Sequence, residues 1–254
     1  MKVIFKNTAP VYDKPMNMKN ISQLNRARQS GNALFFILIA VAMLGALSFA
    51  VSQGGRSSGS GVSAEKARLA ATDLIDYSNT VANAAAQLRL RGYSLSELSF
   101  ENDIVSGYSN GNCTEDLCKI FAPAGGGVSY LEPPKDIFAD TPAPDYEWHF
   151  YGDNAIQGAG MTCASASCAD IIMVLDELDL SVCQQLNDLL GVSANLSDAP
   201  PTDADVGNTK YTGSFSYSET IGDSDASLDG LRSVCIQKTT SPAEYVYYRV
   251  LISQ

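Results

Sequence analysis

The chain has 254 residues, 45% of them hydrophobic, so it is long enough and apolar enough to bury a folded core. Acidic residues outnumber basic ones by 28 to 17, which excludes a general nucleic-acid binder because phosphate neutralisation needs clustered Lys and Arg. His149 is the single histidine in the sequence, so sites that need two imidazole ligands, such as most zinc hydrolase centres, are also excluded.

The charge is divided unevenly along the chain. Residues 1–31 carry six bases and one acid, residues 32–51 carry no charged side chain, and residues 52–254 carry 11 bases and 27 acids. Within the uncharged part, Ala33–Val51 is an unbroken run of nineteen residues that would span about 28 Å as a helix, close to the hydrocarbon thickness of a bilayer. The positive-inside rule therefore predicts a cytoplasmic basic leader over 1–31 and a transmembrane helix over 32–51.

Two other interpretations of this apolar run stay open. It could be a buried helix of a soluble protein, or it could be the core of a secretory signal. Ser48-Phe49-Ala50 has the small-x-small pattern of a signal-peptidase site, with removal after Ala50. The transmembrane and signal interpretations both export the same following domain.

A Gly/Ser linker is predicted over 52–62, and an exported head domain over 63–254. The linker contains a formal G-x-S-x-G at 55–59, which we interpret as chance because a nucleophile elbow needs a strand before it and a helix after it. The head opens on a long amphipathic helix that ends near Gly92, and its apolar face is expected to pack against the domain's own sheet or a partner helix. That face consists of Ala70, Leu74, Tyr77, Val81, Ala84 and Leu88.

The second half of the chain predicts short strands and one further helix. The helix would open on a capping box of Ser181 and Gln184 and stop at Gly191, and the last two strands would form an antiparallel hairpin. This order predicts an α+β fold, with an N-terminal transmembrane helix followed by a long amphipathic helix packed on an antiparallel β-sheet and stabilised by disulfides. The strands are predicted at 148–151, 171–175, 233–239 and 245–253.

All six cysteines follow the apolar run, which is typical of a disulfide framework in an exported domain. Fifteen connectivities are possible for six cysteines, and proximity favours two short loops and one long bridge. The long bridge is expected to stabilise the fold most, by about 4 kcal/mol. A zinc site with four cysteine ligands is the alternative. The predicted pairs are Cys113 with Cys118, Cys163 with Cys168, and Cys183 with Cys235.

Few residues of the head are candidates for a catalytic or metal-binding site. His149 is interpreted as structural, because the sequence places no nucleophile beside it. An acidic loop containing Asp223, Asp225 and Asp229 is a weak calcium candidate, since it lacks the spacing of an EF-hand. We predict no catalytic residue, no other metal site and no cofactor, so the chain is not expected to be an enzyme.

The segment 28–38, which reads RQSGNALFFIL, resembles the start of type IV pilin-like proteins, most closely the divergent minor pilins and minor pseudopilins. The resemblance implies that a membrane prepilin peptidase cuts the bond between Gly31 and Asn32. It also implies that the apolar helix packs against neighbouring subunits. The order of leader, apolar helix, amphipathic helix, antiparallel sheet and late disulfide is similar to a pilin as well. The side chains implied in helix packing are Phe35, Phe36, Leu38 and Leu44.

The sequence departs from the major pilins at the fifth residue after the cleavage site, where Phe36 replaces their glutamate. This difference is compatible with a minor subunit at a filament tip or with a protein that never polymerises. We therefore expect a structural subunit in the bacterial inner membrane, single-pass, with a cytoplasmic N-terminus and a periplasmic or extracellular head. Its expected partners are the inner membrane, pilin-like subunits and a prepilin peptidase, but no nucleic acid. The alternative is a membrane-tethered periplasmic binding or sensing domain that is not processed.

Overall fold

A computed structural model of the chain describes residues 30–139, 144–161, 164–240 and 244–254. The chain divides into two compact units, one ending at Gly59 and the other running from Ser60 to Gln254. Helix α1 (Ser30–Leu90) contributes residues to both units, which are described separately. The predicted leader lies outside the described residues, apart from Ser30 and Gly31.

The first unit contains the beginning of α1. Every residue from 35 to 46 is exposed there, including Phe36 at 62% and Leu44 at 66%. Among the described residues, no helix is at once long enough and apolar enough to cross a bilayer. The predicted transmembrane helix over 32–51 and the predicted single-pass inner-membrane location are therefore wrong.

In the second unit, α1 ends at Leu90 and the chain turns at Gly92, whose φ of 101° is strained for any residue with a Cβ. The helix is rich in alanine and lacks Gly and Pro from residue 63 to its end. Its buried positions recur every three or four residues, as expected for one helical face. They are Ala67, Ala71, Leu74, Ser78, Val81, Ala82, Ala84, Ala85 and Leu88. The Gly/Ser segment 52–62, predicted as a linker, lies within the bounds of α1.

The second unit also contains a six-stranded sheet with the strand order β3-β5-β6-β2-β1-β4. The pairs β1/β2, β2/β6 and β5/β6 are antiparallel, whereas β1/β4 and β3/β5 are parallel. Helix α2 (Leu180–Leu189) follows β2. The strands are β1 (His149–Ile156), β2 (Asp170–Leu175), β3 (Thr202–Asp203), β4 (Glu219–Ile221), β5 (Ser233–Lys238) and β6 (Tyr245–Ile252).

The predicted fold class is wrong, because the described residues contain no transmembrane helix and the sheet is mixed instead of antiparallel. The parallel pairs involve β3 and β4, which are two and three residues long and too short to give a periodic pattern. The four predicted strands and the final antiparallel pairing are confirmed, although β1 continues to Ile156 instead of ending at Tyr151. Helix α2 is capped by Asp179, whose side chain accepts a bond from the Ser181 amide, and not by the predicted Ser181–Gln184 box.

The core lies on both faces of the central strands. Alternate residues of β2 point to opposite faces, so Met173 belongs to the larger apolar cluster and Val174 to the smaller one. All six residues of β2 are buried, which explains why the five that follow Asp170 form a continuous apolar run without polar alternation. The larger cluster also contains the buried α1 side chains and a stacked pair, Phe100 and Phe150, with ring centroids 4.5 Å apart.

Two of the predicted disulfides are confirmed, Cys113–Cys118 and Cys183–Cys235. The second joins α2 to β5, and the buried Asn187 reinforces it. The Asn187 amide donates to the Cys235 carbonyl at 2.8 Å, and its oxygen accepts from the Cys235 amide at 2.9 Å. Cys168 is disulfide-bonded, while Cys163 lies outside the described residues.

Replacing Cys183 and Cys235 together by alanine is expected to lower the free energy of unfolding by about 4 kcal/mol, because the bridge closes a loop of 52 residues. Replacing Cys113 and Cys118 should cost only about 2 kcal/mol, because that pair is only 5 positions apart in the sequence. Urea denaturation followed by circular dichroism measures both losses. Equal losses would contradict the loop-length explanation.

Candidate functional site

A cleft of about 570 Å³, here called the acidic cleft, lies at one end of the sheet. Its walls come from the start of β1, the end of β2, the end of β5 and the start of β6, together with residues 205–208 and the start of β4. Antiparallel pairing brings these strand ends together, for example His149 of β1 opposite Val174 of β2. The fold thus gathers residues that are far apart in the sequence.

Six carboxylates line the acidic cleft, and Lys238 is the lysine among its lining residues. The Lys238 ammonium lies 3.1 Å from Asp205 Oδ1 and 3.3 Å from Glu244 Oε2. Burial opposes the charge of Lys238, but these two ion pairs outweigh it and raise the lysine pKa. The remaining negative charge favours cations in the cleft. The six carboxylates are Asp145, Asp176, Glu177, Asp205, Glu219 and Glu244.

Asp176 is the most perturbed acid of the cleft. Burial raises its pKa to about 7, and Glu244 and Asp145 add to the effect although Lys238 opposes it. Because of this raised pKa, Asp176 exchanges a proton near neutral pH. The next residue, Glu177, has a φ of 60°, a left-handed backbone conformation that is uncommon for residues other than glycine.

His149 lies on the wall of the acidic cleft and is 6% exposed. Its Nε2 lies 3.0 Å from Asp145 Oδ2 and 3.8 Å from Asp176 Oδ2, and its ring stacks on Tyr151. Burial lowers the histidine pKa more than Asp145 raises it, so the ring is neutral at pH 7. Ser218, which also lines the cleft, donates its hydroxyl to Asp153 at 2.8 Å. No step of nucleophilic catalysis follows from these contacts.

A second concave surface, here called the α1 groove, has a volume of about 580 Å³. It lies between α1 and residues 127–134, and its lining includes Leu74, Tyr77, Leu131 and Trp148. The Tyr77 hydroxyl donates to the Ser129 carbonyl at 3.2 Å and accepts from the Leu131 amide at 3.0 Å. Burial raises the pKa of Tyr77 to about 12, so the hydroxyl keeps its proton at neutral pH.

The residues predicted for processing and subunit packing do not line either concave surface. Gly31 and Asn32 are near the start of α1, and the side chains of Phe35, Phe36, Leu38 and Leu44 are exposed on the same helix.

The weak calcium candidate is not assembled into a cluster. The Asp225 carboxylate accepts bonds from the amides of Ser227 and Thr202, and Asp223 accepts from the Ser224 hydroxyl. Within the described ranges, no group of three or more His, Cys, Asp or Glu side chains could hold a metal ion. The structure therefore gives no support to a calcium site at Asp223, Asp225 and Asp229.

Sequence reasoning did not find the acidic cleft or the α1 groove. A usable signal was present for the cleft, since Asp176 and Glu177 directly follow a predicted strand and Glu244 directly precedes another. Comparison with models of protein families, with curated proteins and with solved structures finds no match to this chain.

Asp176→Asn is expected to stabilise the protein at pH 8 by about 2 kcal/mol and to have little effect at pH 4. Burial raises the pKa of Asp176 in the folded state above its value in the unfolded chain. The protonated acid therefore stabilises the folded state at low pH, and this contribution is lost as the pH rises through about 7. The expected gain is below the full linkage value because 28% of the side chain is exposed.

Melting temperatures between pH 4 and pH 8 measure this difference. Asp188→Asn is the matched control, because Asp188 is exposed on α2. An equal change at both pH values for Asp176→Asn would show that Asp176 is ionised throughout.

Proposed function

We propose that this chain is a pilin-like structural subunit whose beginning of α1 packs against other subunits of an assembly. The observation that carries the proposal is the exposed apolar stretch from 35 to 46. Its twelve residues are uncharged and all are exposed, with Phe35 at 59%, Leu38 at 66% and Met43 at 64%. Folded monomers rarely leave so large a contiguous apolar surface in water, so a covering surface is required.

The same helical segment of a second subunit is a suitable cover. Uncharged side chains on every side of the helix allow several neighbours to pack at once. The resemblance of segment 28–38 to pilin-like proteins gives independent support, because it implies that Phe35, Phe36, Leu38 and Leu44 are packing positions. The head, residues 63–254, would then supply contacts to other subunits or to a surface.

Phe36→Asp combined with Leu44→Asp is expected to abolish self-association of the full-length chain, since burying two carboxylates between apolar helices is strongly unfavourable. Sedimentation velocity measures the association state. Leu69→Asp is the matched control, because Leu69 is also 59% exposed on α1 but lies beside charged residues. Unchanged association of the double variant would argue against helix packing.

Processing at Gly31–Asn32 is the second expected property of a pilin-like subunit, with a prepilin peptidase as partner. Mass spectrometry of the chain from its native host should find a new N-terminus at Asn32, and this terminus should disappear when the prepilin peptidase is deleted. An intact leader would contradict the pilin-like proposal.

A binding or sensing domain that is not processed is the second candidate function. The acidic cleft favours it, because a concave site of about 570 Å³ lined by six carboxylates is suited to a cationic ligand. An intact leader together with a chain that does not self-associate would support this candidate over the first.

A further inference from the structure

The α1 groove is an apolar depression that is not part of the stretch 35–46 assigned to subunit packing. Leu74 is 4% exposed and Trp148 1% exposed, so both are held firmly by the core behind them. Leu131 is 57% exposed. An exposed leucine supported from behind by firmly held core side chains is typical of a contact surface.

The wall of the groove opposite α1 is fixed before any ligand arrives. Tyr77 of α1 bonds through its hydroxyl to the backbone of Ser129 and of Leu131, and its ring lies 5.6 Å from the ring of Trp148. Pro133 and Pro134 follow after Glu132 and restrict the backbone further. A preformed groove loses little conformational entropy on binding, which increases its affinity for a partner.

The charge at the groove determines what kind of partner it accepts. Asp73 and Asp76 lie on α1, and Glu132 lies on the opposite wall, all three exposed. Among the described residues that line the groove, none is a Lys or an Arg. Carboxylates on both walls around an apolar floor are complementary to an apolar segment with Lys or Arg at its ends.

We propose that the α1 groove binds a short segment of a partner protein in which apolar side chains are flanked by lysine or arginine. The apolar side chains contact Leu131 and the half-buried Tyr77 and Val128. The flanking cations pair with Asp73, Asp76 and Glu132. This inference rests on the proposed function and deepens it, since it assigns to the head a partner of defined chemistry.

The binding test uses the full-length chain carrying Phe36→Asp and Leu44→Asp, so that failure of subunit packing and failure of groove binding are separate results. The probe is a fluorescein-labelled peptide of sequence GKLFLKG, and fluorescence anisotropy measures its affinity. Neutralising the rim with Asp73→Asn, Asp76→Asn and Glu132→Gln should weaken binding about tenfold. Leu131→Ser should weaken it about fivefold.

The matched control removes the same charge elsewhere, with Glu115→Gln, Asp188→Asn and Asp223→Asn, all at exposed positions. This control should bind the peptide as well as the parent chain does. Changing Asp73, Asp76 and Glu132 together to lysine should reverse the preference, so that the peptide GELFLEG binds better than GKLFLKG. Equal weakening by both neutralised triples, or no preference between the two peptides, would overturn the proposal.

A second copy of the chain is the other possible occupant. In that case Leu131→Ser would reduce residual self-association and the peptide would not bind, which also overturns the proposal.

Discussion

The hydroxyl of Tyr247 is the contact on which the arrangement of the second unit depends. It lies in the fully buried core and is 2.9 Å from Ser78 Oγ of α1 and 2.9 Å from Ser233 Oγ of β5. A buried hydroxyl must keep its hydrogen bonds, since losing one leaves a polar group without compensation. Tyr247 therefore acts together with the buried apolar side chains of α1 to fix which face of the helix is turned to the core. As a result, Tyr77 borders the groove and Asp73 and Asp76 stay exposed.

The sequence predicted the central part of the sheet but not its edges. The strands around 171–175, 233–239 and 245–253 were found because each contains a run of three to five consecutive apolar residues. β3 and β4 are too short to carry such a pattern. Each is held by only two or three backbone pairs to a neighbouring strand. Pairing of this kind depends on the path of the whole chain, which local sequence does not encode.

The two confirmed disulfides could be predicted because sequence proximity pairs Cys113 with Cys118 and Cys163 with Cys168, and exclusion then assigns Cys183–Cys235. The transmembrane prediction failed although the apolar run is clear in the sequence. That run was interpreted as a separate element, whereas Ser30–Leu90 is a single helix in which the apolar residues are followed by many polar ones. The acidic cleft could not be predicted either. Its carboxylates come from several strand ends, and burial, which raises the pKa of Asp176, is a property of the folded chain.

The short outer strands also limit how copies of this protein can associate. β3 has two residues and β4 has three, so the two borders of the sheet offer few free backbone groups to a strand from another molecule. Edge-to-edge addition, the usual route to β-aggregates, has little template here. Association of copies of this chain therefore depends on side-chain surfaces. Substitutions at such surfaces can change the affinity between copies while the backbone pairing of the sheet stays the same.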